Sequence, residues 1–85
     1  MPYRVEFTNR AARELRALDK TTVKRIAARI DALADNPRPP SSKLLEANDR
    51  LYRIRVGDYR VIYQVEDRTV LVLIVRVGHR REFYR

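Results

Sequence analysis

The sequence predicts a small α+β domain in which helices pack on one face of a single sheet. Three observations predict this class. A short run of alternating apolar residues opens the chain, two stretches with helical spacing of apolar residues follow, and three β-rich runs fill the second half. A chain of 85 residues has room for one two-layer core, so we expect residues 1–85 to form a single domain.

The first element is a short N-terminal strand. Tyr3, Val5 and Phe7 alternate with Arg4 and Glu6, which is the period of a strand with one buried face. We therefore expect this strand to join the sheet that the second half of the chain builds.

A helical hairpin follows the strand. Thr8 can cap the first helix, and a break at Asp19-Lys20 allows a second cap at Thr21 or Thr22. The second helix should end before Asn36-Pro37, because a residue that precedes proline disfavours helical geometry. Each helix has one apolar stripe, formed by Ala11, Ala12, Leu15 and Leu18 in the first and by Val23, Ile26, Ala27, Ile30, Leu33 and Ala34 in the second.

The proline-rich segment at residues 37–42 predicts a stiff connector to an antiparallel meander of three strands. The β-rich runs cover residues 51–56, 59–66 and 69–77, with turns at Gly57-Asp58 and Asp67-Arg68. Gly-Asp is suited to a two-residue hairpin turn. The third run has no polar alternation between Val70 and Val75, so we expect it to be a central strand covered on both faces.

The charge of the chain predicts a polyanionic partner. Lys and Arg number 19 against 11 acidic residues, for a net charge of +8, and only three of these cations are lysine. Arginine is suited to bidentate phosphate contacts and to stacking on bases. The absence of cysteine excludes disulfides and thiolate metal sites, and we expect neither a metal nor a cofactor. No signal peptide or membrane span is visible, so a cytoplasmic protein without a membrane partner is expected.

The Gly57-Asp58 turn places three arginines on one face of the predicted hairpin. In this register Arg55 lies opposite Arg60, and Arg53 shares their face because side chains alternate along a strand. The core face then contains Tyr52, Ile54, Val56, Tyr59, Val61 and Tyr63. Like charges opposite each other destabilise a sheet, which favours a bound anion at this face. The alternative is that the long side chains splay into water. Whether Arg76 joins this face or the core is left open.

The last strand continues into a basic and aromatic tail. It contains His79, Arg80, Arg81 and Tyr84. Arginine together with tyrosine at a strand end can stack on a base while phosphates contact the sheet. Histidine is the side-chain type suited to proton transfer near neutral pH, although a lone histidine is often structural.

Four segments in order along the chain resemble the RelE branch of the RelE/ParE toxin superfamily: residues 3–7, Asn36-Pro37, residues 51–63 and residues 77–84. The resemblance implies a growth-inhibiting toxin that enters the ribosomal A site and cuts the bound message without a metal. It also implies a cognate RelB-like antitoxin, partly disordered and acidic, that neutralises the toxin by wrapping around it or by displacing its C-terminal segment.

The resemblance also implies roles for individual residues. Arg60 and Arg80 would contact the scissile phosphate, and Arg53 and Arg55 would bind phosphate and stabilise charge. Tyr84 would stack on a base or assist proton transfer. Arg81 is a further RNA-binding candidate and His79 a catalytic one. Some relatives carry lysine where this chain has Arg53 and Arg55. The tail here is also short, so the match of Tyr84 to the family's aromatic residue assumes a gap.

Two other functions fit the same sequence. A ParE-like inhibitor of DNA gyrase would share the fold without needing the three arginines of the hairpin together with Tyr84. A non-catalytic RNA-binding module would need the basic face alone. An assay of message cleavage beside one of DNA supercoiling separates these alternatives from the nuclease.

Overall fold

Two helices pack against one face of a five-stranded sheet in the computed structural model, which describes residues 2–45 and 50–83. The predicted α+β class is confirmed. The helices are α1 (Asn9–Arg16) and α2 (Lys20–Asp35). The strands are β1 (Arg4–Phe7), β2 (Lys43–Leu44), β3 (Leu51–Val56), β4 (Tyr59–Glu66) and β5 (Leu71–His79), and a 3-10 helix spans Arg80–Phe83.

The strands lie in the order β1-β5-β4-β3-β2. The predicted meander is confirmed, since β3 pairs antiparallel with β4 and β4 antiparallel with β5. The N-terminal strand joins it as expected and runs parallel to β5. Strand β2 was not predicted, because a pair of residues directly after a proline-rich segment carries no period.

Side-chain caps set the start of both helices. Thr8 caps α1 as predicted, with its hydroxyl oxygen accepting from the Ala11 amide at 3.1 Å. The prediction of Thr21 or Thr22 as the second cap is wrong. Asp19 is the cap, because its carboxylate accepts both the amide and the hydroxyl of Thr22, at 3.2 and 2.6 Å.

Strand β5 lies between β1 and β4, so its predicted central position is confirmed. The expectation that both of its faces are covered is wrong. Val72, Ile74 and Val77 are buried against the helices, whereas Leu71 and the other apolar residues of the opposite face are only half-buried. The strand also starts and ends two residues later than predicted.

A bulge divides β5 into two halves. Tyr63 pairs with Ile74 and Ile62 pairs with Arg76, so Val75 is an extra residue that has no paired residue on β4. The extra residue shifts the alternation of side chains along the strand. Ile74 and Val77, three residues apart, can therefore both face the core.

The core forms between the helices and one face of the sheet. Tyr63 is its largest fully buried side chain, and its hydroxyl donates to the Pro37 carbonyl oxygen at 2.7 Å. This bond attaches the connector to the centre of the domain, and burial raises the pKa of Tyr63. The buried apolar residues are Ala11, Ile26, Ile30, Leu33, Ile54, Val56, Val61, Tyr63, Val65, Val72, Ile74 and Val77.

Candidate nucleic-acid interface

The β3–β4 hairpin has the register that the sequence predicts. Arg55 lies opposite Arg60, and Arg53 lies opposite Ile62. The neighbours of these residues along each strand, Ile54 and Val61, are buried under the helices. Arg53, Arg55 and Arg60 therefore lie on the opposite, open side of the sheet, and we call them the arginine face.

The three side chains of the arginine face differ in exposure. Arg55 is exposed and Arg60 is half-buried, with a buried Nε atom. Arg53 retains only 9% exposure, so the three arginines share a face as predicted but differ in their access to solvent. Within residues 2–45 and 50–83, no carboxylate lies within ion-pair distance of Arg55. The face is thus most accessible at the end next to the turn.

The turn between β3 and β4 brings a helical arginine to the end of the arginine face. Gly57 has φ +61°, a left-handed conformation that glycine adopts without strain. A Cβ atom at this position would lie 3.0 Å from Nη2 of Arg25. The guanidinium of Arg25 therefore contacts the backbone of the turn. Periodicity in the sequence could not reveal this contact between α2 and the turn.

The same turn fixes the start of the C-terminal segment. The amide of Arg80 donates to the Asp58 carbonyl oxygen at 2.7 Å. The 3-10 helix therefore begins beside the end of the hairpin where Arg55 and Arg60 face each other. Arg80 and Arg81 are both exposed there. The structure thus brings the backbone of Arg80 next to the end of the arginine face.

One other candidate residue, His79, is not brought to the arginine face. His79 pairs with Tyr59, whose ring packs against the core, and the two rings meet edge to face at 5.4 Å between centroids. Nδ1 of His79 accepts the Arg81 amide at 3.2 Å. His79 therefore lies on the helix-covered side of the sheet. Tyr84 lies outside the described residues.

Arg76 lies on the open side because of the bulge in β5, which settles the question that the sequence left open. Its Nη2 atom lies 3.1 Å from Oε2 of Glu14, and the amide of Val77 donates to Oε1 of Glu14 at 2.9 Å. Burial alone would raise the pKa of Glu14. The Val77 amide, Arg76 and Arg10 outweigh burial and hold this pKa below its usual range.

A second group of arginines lines an open groove of about 310 Å³ at the opposite end of the sheet. Arg38 donates to both oxygens of Asp67, at 3.2 and 2.8 Å, and to the Tyr52 hydroxyl at 2.9 Å. Hydrogen bonds from Arg38 and then Tyr3 lower the pKa of Asp67. The hydrogen bond to Asp67 in turn raises the pKa of Tyr3. This network joins the connector, the N-terminus and the β4–β5 turn.

Metal ligands are not clustered in the described part of the chain, where no group of three His, Cys, Asp or Glu side chains could hold an ion. Within residues 2–45 and 50–83, no helix is long and apolar enough to cross a membrane.

Comparison with known proteins gives consistent matches along the chain. The family model for the ParE toxin of the type II toxin–antitoxin system ParDE matches residues 5–84. The mRNA interferase toxin RelE of Escherichia coli K12 is 33% identical over 82 residues, which are 94% of this chain and 85% of that protein. The toxin RelG of Mycobacterium tuberculosis is 35% identical over 89 residues, covering 100% of this chain and 99% of that protein.

A solved structure has the same architecture. A chain of the archaeal RelE–RelB complex from Pyrococcus horikoshii superposes with a TM-score of 0.82 at 33% identity, covering 94% of this chain and 97% of that chain.

Proposed function

Because this chain belongs to the RelE-type toxins of the RelE/ParE type II toxin–antitoxin superfamily, we propose that it is an endoribonuclease that cleaves messenger RNA on the ribosome and so inhibits translation. The name mRNA interferase, carried by the E. coli relative, supports the nuclease activity. The ribosome as the place of cleavage, the residue roles and independence of metal are further parts of the proposal.

The observation that carries the proposal is the pairing of Arg55 with Arg60. These residues are directly opposed across two antiparallel strands, where like charges destabilise the sheet by a few tenths of a kcal/mol or more. Arg53 adds a third charge on the same side. An anion bound between the guanidinium groups removes the repulsion, and arginine has the fork geometry that binds phosphate.

The proposed reaction is attack of a ribose 2′-oxygen on the adjacent phosphorus. The 2′-hydroxyl loses its proton as its oxygen bonds to phosphorus, the bond from phosphorus to the 5′-oxygen breaks, and the leaving 5′-oxygen takes up a proton. The products are a 2′,3′-cyclic phosphate and a 5′-hydroxyl end. Arg60 and Arg80 contact the scissile phosphate, and Arg53 and Arg55 bind RNA and stabilise the charge that develops in the transition state. Arg81 is a further RNA contact.

Proton transfer is the step for which the described residues provide the fewest suitable side chains. Arginine does not deprotonate in proteins, so the arginine face can stabilise charge but cannot act as a base. His79 lies on the other side of the sheet, so the proposal gives it no part in the reaction. Tyr84 stacks on a base or assists proton transfer. Orientation of the RNA by the ribosome then supplies much of the rate, and free RNA is a poor substrate.

The proposed protein partner is a RelB-like antitoxin. The P. horikoshii relative is structurally known in a complex with RelB. An acidic and partly disordered segment of such a partner can cover the arginine face. It would block RNA binding by neutralising the arginines and by excluding RNA sterically.

The test is a single-turnover cleavage assay on ribosomes programmed with a defined message, with and without EDTA. We expect cleavage by the unaltered chain in both conditions and no comparable cleavage of the free message. Arg60→Ala combined with Arg80→Ala should abolish it, and Arg68→Ala, an exposed arginine at the other end of the sheet, serves as the control. An intact message with folded protein contradicts the nuclease, and loss of cleavage in EDTA contradicts metal independence.

A second candidate function is inhibition of DNA gyrase, favoured by the ParE family model that matches residues 5–84. An assay of DNA supercoiling by gyrase, run with the same protein samples, separates the two functions. Inhibited supercoiling together with an intact message would assign this function in place of the nuclease.

A further inference from the structure

The cations of the open side extend beyond the arginine face along one row of the sheet. Lys43 on β2 pairs with Arg53 on β3, Arg53 pairs with Ile62 on β4, and Ile62 pairs with Arg76 on β5. Directly paired residues share a face, so this row carries a cation on three of its four strands. The neighbouring row carries Arg55 and Arg60.

The row has this composition only because of local features that the sequence does not reveal. Strand β2 brings Lys43 to the edge of β3, and the bulge at Val75 turns Arg76 away from the core. Glu14 engages Nε and Nη2 of Arg76, which fixes the direction of its side chain. A guanidinium has five N–H donors, so a single carboxylate oxygen does not exhaust them.

We infer that Lys43 and Arg76 bind the phosphates on either side of those held by the arginine face, so that the RNA backbone crosses the sheet from β2 to β5, perpendicular to the strands. This inference rests on the proposed function and adds the path of the substrate. Neighbouring strands lie about 4.8 Å apart, so the row spans about 14 Å between its outer backbones. This distance corresponds to about four nucleotides of a stacked strand, in which each nucleotide adds a rise of about 3.4 Å along the axis.

The direction of the path follows from where the cations end. Beyond Arg53 on the same face of β3 comes Leu51, which pairs with Gln64 on β4. A backbone that ran along β3 and β4 toward this pair would therefore leave the cations after two residue pairs, Arg55–Arg60 and Arg53–Ile62. A backbone that crosses the strands meets Lys43 on β2, Arg53 on β3 and Arg76 on β5, with Arg60 of β4 in the neighbouring row. Cations on four adjacent strands fit a phosphodiester chain, which carries one charge for each nucleotide.

The test measures binding of a fluorescent single-stranded RNA oligonucleotide to the full chain as a function of salt. The variants are Lys43→Ala and Arg76→Gln, where glutamine can still donate a hydrogen bond to Glu14. Arg68→Gln is the matched control for Arg76→Gln. We expect each test variant to bind about three- to tenfold more weakly at low salt and to lose about 0.7 from the slope of log affinity against log salt concentration, while the control keeps both values. Thermal melts establish that all variants fold.

Three outcomes overturn the inference. The first is an unaltered affinity and slope in both folded variants. The second is a loss in the Arg68→Gln control equal to that of the test variants, and the third is no RNA binding by the unaltered chain. If both variants lose affinity for poly-glutamate but not for RNA, the row binds an acidic protein instead. Cleavage by the unaltered chain, assayed separately, tells whether the proposed function itself fails.

Discussion

The two ends of the sheet place their arginines in opposite surroundings. Around the β4–β5 turn, Arg38 and Arg50 each lie beside a carboxylate, Asp67 at 2.8 Å and Glu66 at 3.2 Å. Around the β3–β4 turn, Arg55 lies opposite another arginine, and no carboxylate among the described residues is within ion-pair distance of it.

The difference separates arginines that join parts of the fold from those to which we assign phosphate binding. At the first end Arg38 and Arg50 are each paired with a carboxylate of a neighbouring element, so these ion pairs join parts of the fold. At the second end the charges repel, which lowers stability slightly and raises the local attraction for phosphate. Substitutions at the two ends should therefore affect different measurements.

The largest effect is expected for Arg60→Ala. Removing one donor that stabilises developing charge lowers the rate of a reaction by about 10²–10³-fold. We expect the single-turnover rate of message cleavage to fall by about that factor, while the free energy of unfolding changes by less than about 1 kcal/mol. A cleavage rate within about threefold of that of the unaltered protein would contradict the proposed role of Arg60, because the arginines beside the β3–β4 turn would then not be needed for cleavage.

The ion pair between Glu14 and Arg76 differs from both ends, because Arg76 lies on the open side and yet has a carboxylate partner. Glu14→Gln weakens bonds to Arg76 and to the Val77 amide, so we expect a loss of about 1–2 kcal/mol in the free energy of unfolding at neutral pH. Urea denaturation measures this loss of stability. Glu6→Gln, which removes the exposed ion pair between Glu6 and Arg4, is the control.

The pH dependence of this effect has a defined sign. The pKa of Glu14 is lower in the folded than in the unfolded state, so its ionised form stabilises the fold above the unfolded pKa. That contribution is lost as pH falls through the folded pKa. The difference in stability between the unaltered protein and Glu14→Gln should therefore shrink below about pH 4. A difference that stays constant down to about pH 2 contradicts this assignment.

Arg38→Ala tests the neutralised end of the sheet. The ion pair with Asp67 is partly exposed, so solvent screens it, and we expect a loss of about 1 kcal/mol in the free energy of unfolding. Cleavage at a temperature where the variant is folded should be unchanged, since this end lies away from the arginine face. Loss of cleavage without loss of stability would reverse the roles assigned to the two ends.

The smallest effect concerns the two turns themselves. Gly57 and Val70 both have positive φ, +61° and +53°, but only glycine adopts this conformation without strain. We expect Val70→Gly to stabilise the protein by about 0.5–1 kcal/mol, because relief of strain exceeds the gain in flexibility of the unfolded chain. Urea denaturation measures the change, and Gly57→Ala, which strains the other turn and approaches Arg25, should destabilise. A destabilised Val70→Gly variant would contradict the inference that the backbone of Val70 is strained.

The arginine face could be predicted from the sequence because a Gly-Asp turn fixes the register of a hairpin, and register fixes which side chains share a face. The α+β class followed from periodicity in the same way. Arg76, Lys43 and Arg25 could not be placed. Their positions depend on a bulge, on a two-residue strand and on a contact between a helix and a turn, which are all set by tertiary packing. The position of His79 on the helix-covered side could not be predicted either, because β5 extends two residues beyond the strand that the apolar run predicts.

The phosphate-binding role of the Arg55–Arg60 pair can be tested by the melting temperature of Arg55→Ala beside that of the unaltered chain, at low salt, with and without single-stranded RNA. If the two facing arginines are kept to bind phosphate, the variant alone should melt at the same or a higher temperature than the unaltered chain, and RNA should raise the melting temperature of the unaltered chain more. A variant that melts lower on its own, with equal RNA-dependent shifts in both proteins, would contradict a phosphate-binding role for the pair.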